Sequence, residues 1–257
     1  MKVYDGDFEN AREQNITKMR NAQELSDLSR AWMEKSTDYN YVYNFDWLNT
    51  PMIQFPQDII AMQELIIKHE PDLIIETGVA RGGSVLFSAS MLALLDLRSS
   101  LKHDVPFERN RKVIGIDIDI REHTRQAIDD EPLSAYVDLV EGSSIDQSII
   151  DLVKKKSEGY ENVMIFLDSN HTHDHVLAEL NGYQGLIKSG GYLVVYDTSI
   201  EWDKSQYWEG KREWGPGNSP RSAISEFIES YPDFKINKSI SDKLQITVAP
   251  EGFLKRD

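Results

Sequence analysis

The stretch FLDSNHTHDHVLAEL, Phe166 to Leu180, places His171, His173 and His175 with Asp168 and Asp174 within eight residues. Imidazoles and carboxylates so crowded can hold a metal ion or pass a proton. The order His171-x-His173-Asp174-His175 is one residue short of the His-x-His-x-Asp-His pattern of metal-dependent hydrolases. That chemistry needs further histidines downstream. The chain has six, His69, His103, His123, His171, His173 and His175, and none follows His175. An iron site of two histidines and one carboxylate fails on the same ground. The informative position is Asp168, which ends the apolar run NVMIFLD. Asp197 ends the next such run, GYLVVYD. Neighbouring parallel strands lie ~4.8 Å apart, so carboxylates at two strand ends can share a hard cation such as Mg2+. His173 and His175 read as the first turn of a helix.

A second group is IIETGVARGGS, with Glu76, Gly78, Ala80, Gly82, Gly83 and Ser84 at the point where an apolar run gives way to a helical pattern. Glycines there let the backbone turn tightly and approach a ligand. Gly78, Ala80 and Gly83 also fit a loose dinucleotide fingerprint, a weak match when taken alone. In that reading an acidic residue follows ~20 residues on. Here the acid that ends the second run, Asp117, lies farther away, and the charged loop from Ser99 accounts for the excess. Asp117 is placed to accept two ribose hydroxyls. Asp119 either assists it or caps the next helix. Ser143 and Ser144, in EGSSID, either reach an adenine edge or form a turn.

These residues need a scaffold that gathers strand ends. From Pro56 the chain alternates helical periods with short buried runs: DLIIET, KVIGIDID, YVDLVEG, NVMIFLD and GYLVVYD. Such alternation implies a parallel sheet with helices on both faces. After the helix SPRSAISEFIES the alternation stops. DFKINKSI and KLQITVA read as two strands joined by SD, too close for a parallel crossover and therefore antiparallel. The expected fold is α/β, of the Class I methyltransferase (Rossmann-like) type: a mostly parallel seven-stranded sheet with a C-terminal antiparallel hairpin. Residues 1–48 form a separate helical and aromatic arm, which either packs on the main domain or covers a ligand. Residues 49–257 form the cofactor-binding domain. The segment SIEWDKSQYWEGKREWGPGNSP carries Trp202, Trp208 and Trp214, whose ring faces suit a sugar, or which pack the loop.

The 257 residues carry 28 basic against 43 acidic side chains, a formal net charge of −15. Nucleic-acid affinity rests on neutralised phosphates, so a nucleic-acid partner is not expected, and an anionic membrane surface is disfavoured likewise. There is no cysteine, which excludes disulfides and thiolate chemistry. No cationic-then-apolar leader opens the chain, and no apolar run approaches the ~20 residues of a bilayer span. A cytoplasmic protein without membrane insertion is expected.

The segments WLNTPMIQFPQD from Trp47, PDLIIETGVARGGSVLFSASML, VIGIDIDI, LVEGSSID, IFLDSNHTHDHVLAEL, GGYLVVYDTS, GPGNSPRSAISEF and PEGFLKR together resemble the cephalosporin hydroxylase family of S-adenosylmethionine-dependent methyltransferases, which includes rhamnosyl and other sugar O-methyltransferases. The resemblance covers roughly residues 45–257. It implies binding of S-adenosylmethionine by the Glu76–Ser84 loop and Asp117. It also implies a divalent cation, Mg2+ or another, at Asp168 and Asp197, and a homo-oligomer. In this family an acidic residue often precedes the last aspartate; here it is Tyr196, so Thr198, Asn170 or water must complete the cation's shell. In the similar catechol-type O-methyltransferases a lysine base sits three residues after the first metal-binding aspartate. His171 has that place, and histidine can act as a general base at neutral pH. The expected activity is methyl transfer to a hydroxyl of a sugar or a sugar-containing small molecule. The alternatives are a non-catalytic regulatory domain that binds S-adenosylmethionine and an NAD-dependent oxidoreductase.

Overall fold

The computed structural model describes residues 6–202 and 212–257. Two helices come first, α1 (Gly6–Arg20) and α2 (Gln23–Thr37), followed by a short 3-10 turn and the two-residue strands β1 (Asp46–Trp47) and β2 (Thr50–Pro51). Then α3 (Pro56–His69) opens on a proline whose missing N–H costs nothing at a helix start, and it stops at Glu70 in the left-handed region. β3 (Leu73–Thr77) and α4 (Gly83–His103) flank the glycine loop. The alternation continues through β4 (Lys112–Asp117), α5 (Glu122–Asp129), β5 (Val137–Glu141), α6 (Gln147–Lys156), β6 (Val163–Leu167), α7 (His173–Tyr183) and β7 (Tyr192–Val195). The last elements are α8 (Pro220–Ser230), β8 (Phe234–Ile236), α9 (Lys238–Leu244) and β9 (Phe253–Arg256).

Seven strands form one sheet in the order β5-β4-β3-β6-β7-β9-β8. The first five are parallel; β9 runs antiparallel to both β7 and β8. Strand side chains alternate between two cores. Ile74, Val113, Met164 and Val194 pack under α3 and α4. Ile75, Ile114, Ile165 and Val195 pack under α6, α7 and α8. The parallel sheet covered on both faces is the one read from the sequence.

Two local readings change. KLQITVA is not a strand: it begins inside α9 and continues as a bent loop, and of DFKINKSI only Phe234–Ile236 is strand, its end and the SD link lying in α9. In the loop the Asp58 carboxylate of α3 accepts hydrogen bonds from Thr247 Oγ1 at 2.5 Å and from the Val248 N–H at 3.0 Å. The alternating Leu244, Ile246 and Val248 imitate a strand, but the backbone is held by a side chain instead of a sheet. The antiparallel partner of β8 is Phe253–Arg256. The second change concerns α4. It spans 21 residues and is apolar enough by length and composition to cross a bilayer, because the helix continues past Ser99 to His103. Its apolar face is spent on the core, where Val85, Leu86, Phe87, Ala89 and Leu92 are all buried.

Candidate active site

The sheet order reverses direction at β3, the switch point at which open α/β sheets form their ligand crevice. Gly78, directly after β3, has φ +89, and a Cβ there would lie 2.0 Å from the carbonyl oxygen of Asp168. Only glycine lets the loop after β3 pass so close to the loop after β6. Ala80 also has positive φ, +46. Gly82 and Gly83 then lead into α4. Gly78, Ala80, Gly82, Gly83 and Ser84 all line one cavity of about 1400 Å³.

Asp117, at the end of β4, accepts from the Val79 and Ala80 N–H groups through Oδ2 at 2.9 and 3.0 Å, and from the Asp119 N–H through Oδ1 at 3.2 Å. Its carboxylate therefore shapes the glycine loop. Asp119 is exposed and pairs with Arg121 at 3.7 Å. Glu76 faces inward. It accepts from Ser84 and, at 3.4 Å, from Ser88, both on the first turns of α4. Burial pushes its pKa up to about 7. Ser143 accepts from the Asp146 N–H through its carbonyl, in the turn before α6.

Ser144 joins a buried knot. Its hydroxyl and that of Ser169 each donate to Glu179 Oε1 at 2.6 Å, and His175 Nε2 lies 3.1 and 3.2 Å from the two hydroxyls. Glu179 is fully buried. The knot ties the loop after β5 to the loop after β6. Sequence reasoning missed Glu179, although its spacing of four from His175 puts the two on one helix face. His173 instead joins α7 to α8 through Ser222 and Glu226.

The strands β6 and β7 are hydrogen-bonded neighbours, so Asp168 and Asp197 emerge side by side. Asp197 has φ +55, a conformation that aspartate tolerates better than most residues. Asp168, His171 and Asp197 each offer a ligand atom, all within 4.8 Å of one another. His171 Nε2 lies 3.0 Å from Asp197 Oδ2, and its ring meets Trp214 edge-on at 4.8 Å. Burial, with the charges of Asp197, Glu76 and Asp58, raises the Asp168 pKa well above the usual carboxylate range. Two carboxylates whose negative charges repel, with an imidazole beside them, suit a divalent cation, with Mg2+ keeping several waters.

Of the residues considered for the remaining shell, Thr198 is fully buried and donates to the Pro250 carbonyl at 2.6 Å. Asn170 Oδ1 is occupied by the Thr172 N–H and hydroxyl. The Thr198 hydroxyl is thus turned to the Pro250 carbonyl, and His171 is the side chain that stands beside the two carboxylates. Tyr196 is buried with its hydroxyl unpartnered among the described residues. Gln54, before α3, reaches across and donates Nε2 to Asp168 Oδ2 at 3.0 Å; no sequence signal beyond its place in WLNTPMIQFPQD pointed to it.

The cavity is also lined by Arg30 and Tyr41 of the arm, by Phe55 at the start of α3, and by Trp202 and Trp214 of the late loops. Trp32, Tyr41 and Phe55 form one aromatic cluster, Trp32 lying 4.9 Å from Tyr41 and 5.9 Å from Phe55. Trp208 lies outside the described residues.

Residues 39–257 match the family described as Rhamnosyl O-methyltransferase/CmcI. The rhamnosyl O-methyltransferase of Mycobacterium bovis BCG is 30% identical over 225 residues, covering 84% of this chain and 82% of its own. That of Mycobacterium leprae is 29% identical over 222 residues, covering 84% and 86%. Among solved structures, CmcI with Mg and SAM superposes with a TM-score of 0.58 at 16% identity, covering 84% of this chain and 77% of the other. CmcI in its apo form gives 0.55 at 18% identity, covering 83% and 76%.

Proposed function

The chain belongs to the rhamnosyl O-methyltransferase/CmcI family, and on that premise we propose that it moves the methyl group of S-adenosylmethionine to a hydroxyl of a sugar-containing acceptor, aided by a divalent cation. The observation that carries this reading is the Asp168–His171–Asp197 cluster, which opens into the same cavity as the Gly78–Ser84 loop. S-adenosylmethionine supplies an already activated methyl group, and a bound cation makes a nearby hydroxyl more acidic. Asp168 and Asp197 would hold the cation. The loop from Gly78 to Ser84 would seat the cofactor, with Asp117 holding the loop's N–H groups and presenting its remaining lone pairs. Methyl transfer needs donor and acceptor in line, an alignment that is worth roughly 7–11 kcal/mol.

His171 is read as the base. If its Nε2–H is donated to Asp197, Nδ1 carries the lone pair that takes the acceptor's proton. Trp214, packed against His171, and Tyr41 in the same cavity offer ring faces to a saccharide. The arm, residues 1–48, is read as part of the acceptor wall of the domain 49–257. A homo-oligomer is supported by the stripe of Leu94, Leu97 and Leu101 on α4, each at least 40% exposed; light scattering tests it.

A calorimetric titration with S-adenosylhomocysteine, followed by transfer of labelled methyl with and without Mg2+, tests the reading. Binding and Mg2+-dependent transfer that is lost in Asp168→Asn and Asp197→Asn are expected. Binding of NADH in place of S-adenosylhomocysteine overturns the methyltransferase, and undiminished transfer by both variants overturns the cation. The regulatory alternative predicts cofactor binding with no transfer to any saccharide.

A further inference from the structure

The segment Thr50–Phe55 has no place in the chemistry so far, yet it lies against the cluster. Gly83 marks where it passes: a Cβ there would lie 2.4 Å from the Pro51 carbonyl oxygen and 2.8 Å from the Met52 Cα. The first residue of α4 thus lets the segment cross the helix end in backbone contact. Met52 is buried, and its N–H bonds to the Phe45 carbonyl at 2.9 Å. So anchored, the segment delivers Gln54 to the strand ends with 4% of its surface exposed.

Gln54 Nε2 donates to Asp168 Oδ2 at 3.0 Å. Its Oε1 is buried and finds no donor among the described residues. An amide kept only to fill space is a poor choice here, because burying an unpartnered carbonyl oxygen costs free energy that an apolar side chain of the same length avoids. Turning the amide over would set its oxygen against a carboxylate. The position therefore favours the one thing the side chain does, which is to hold an oxygen of Asp168. A neutral donor suits that role, since it orients the carboxylate and neither neutralises it nor competes with it for a cation.

We propose that Gln54 is a positioning residue for the cation, fixing Oδ2 of Asp168 so that the carboxylate keeps one orientation and its other oxygen remains for the ion. This rests on the cation reading of the cluster. Partners that orient metal-binding carboxylates in this way typically change metal affinity about 10- to 100-fold when replaced.

The test titrates MnCl2 into the full chain saturated with S-adenosylhomocysteine, by calorimetry and by the electron paramagnetic resonance of free Mn2+. The Gln54→Met variant keeps the length and loses the donor. It is expected to bind Mn2+ at least tenfold more weakly. Its affinity for S-adenosylhomocysteine without metal is expected to stay within about twofold, and its Tm to be unchanged. If Gln54→Met fails to fold, Gln54→Asn, which keeps the amide one methylene too short to reach, takes its place with the same expectation. Parental Mn2+ affinity in the folded variant overturns the proposal, and so does a parallel fall in Mn2+ affinity, S-adenosylhomocysteine affinity and Tm, which marks a general packing role. A parent chain that binds S-adenosylhomocysteine but no Mn2+ overturns the cation reading itself. The two failures are read on different proteins and cannot be confused.

Discussion

Ala80 carries a side chain at φ +46, where an L residue costs roughly 1–2 kcal/mol. Ala80→Gly is therefore expected to stabilise the fold by up to about 1 kcal/mol after the glycine's added unfolded-state entropy is subtracted, measured as a higher urea midpoint. Asp58 and Glu76 make a second prediction. In the unfolded chain both ionise near their ordinary values, close to pH 4. In the fold, burial raises both to about 7. Between those limits the folded protein binds more protons, so their contribution falls as pH rises through about 4 to 7 and is level above. For Glu76 the loss is on the order of 3 kcal/mol. Glu76→Gln, which keeps an acceptor for the serines, is expected to flatten the fall in Tm across that window; an unchanged slope sinks the assignment. Proton release explains a third expectation: because Asp168 holds its proton unusually high, cation affinity rises with pH, and titrations at pH 6 and 8 check it. The placement of Asp168 beside Asp197 was legible because a strand end can be read from one apolar run and its last acid. Gln54 was not, because it acts on Asp168, 114 positions away; Glu179 was not, because its role joins its helix neighbour His175 to Ser144, 35 positions back. Thr198 is a related case: adjacency to Asp197 says nothing of where a hydroxyl turns, and this one turns to the Pro250 carbonyl.

Elements carry the next set of effects. The start of α4 is fitted to the crossing segment, so Gly83→Ala forces a Cβ into the backbone of Pro51 and Met52. A loss of stability of a few kcal/mol is expected, as for other overpacked sites, together with weaker Mn2+ binding as Gln54 is displaced. The start of α8 holds a capping box, in which Ser219 accepts from the Ser222 N–H and Ser222 from the Ser219 N–H. Ser219→Ala costs about 1 kcal/mol by loss of the cap alone, and more here because Ser219 also donates to Glu201 at 2.5 Å. The inner parallel strands were legible from short apolar runs, as a sheet covered on both faces requires, and β5 at the edge from its place in the alternation. The terminal pair was read in the right sense but with the wrong second strand. Leu244, Ile246 and Val248 alternate as a strand should, whereas Phe253–Arg256 is four residues ending in two charges. What decides between them is the carboxylate of Asp58, some 190 residues away, which no local pattern reports.

At the scale of the whole molecule, two parts of different standing share one cavity. The family match begins at residue 39, after α2 has ended, yet Arg30 and Glu34 of α2 line the cavity with the glycine loop. Arg20 at the end of α1 reaches Asp242 of α9 at 2.5 Å. Removing residues 1–38 is therefore expected to leave S-adenosylhomocysteine affinity within about threefold and to raise the acceptor's KM at least tenfold; an unchanged KM removes the arm from the acceptor wall. The order of the sheet has a consequence of another kind. β9 is the last strand in the chain and an inner strand of the sheet, paired on one side with β7 and on the other with β8. While the protein is being made, every other strand leaves the ribosome first, and β7 waits with an open edge of the sort that recruits stray partners. Until Arg256 is clear, that edge stays open to aggregation. A chain arrested before Phe253 is expected to remain open to protease over β8 and α8, and one extended past Arg256 to close within the time of folding.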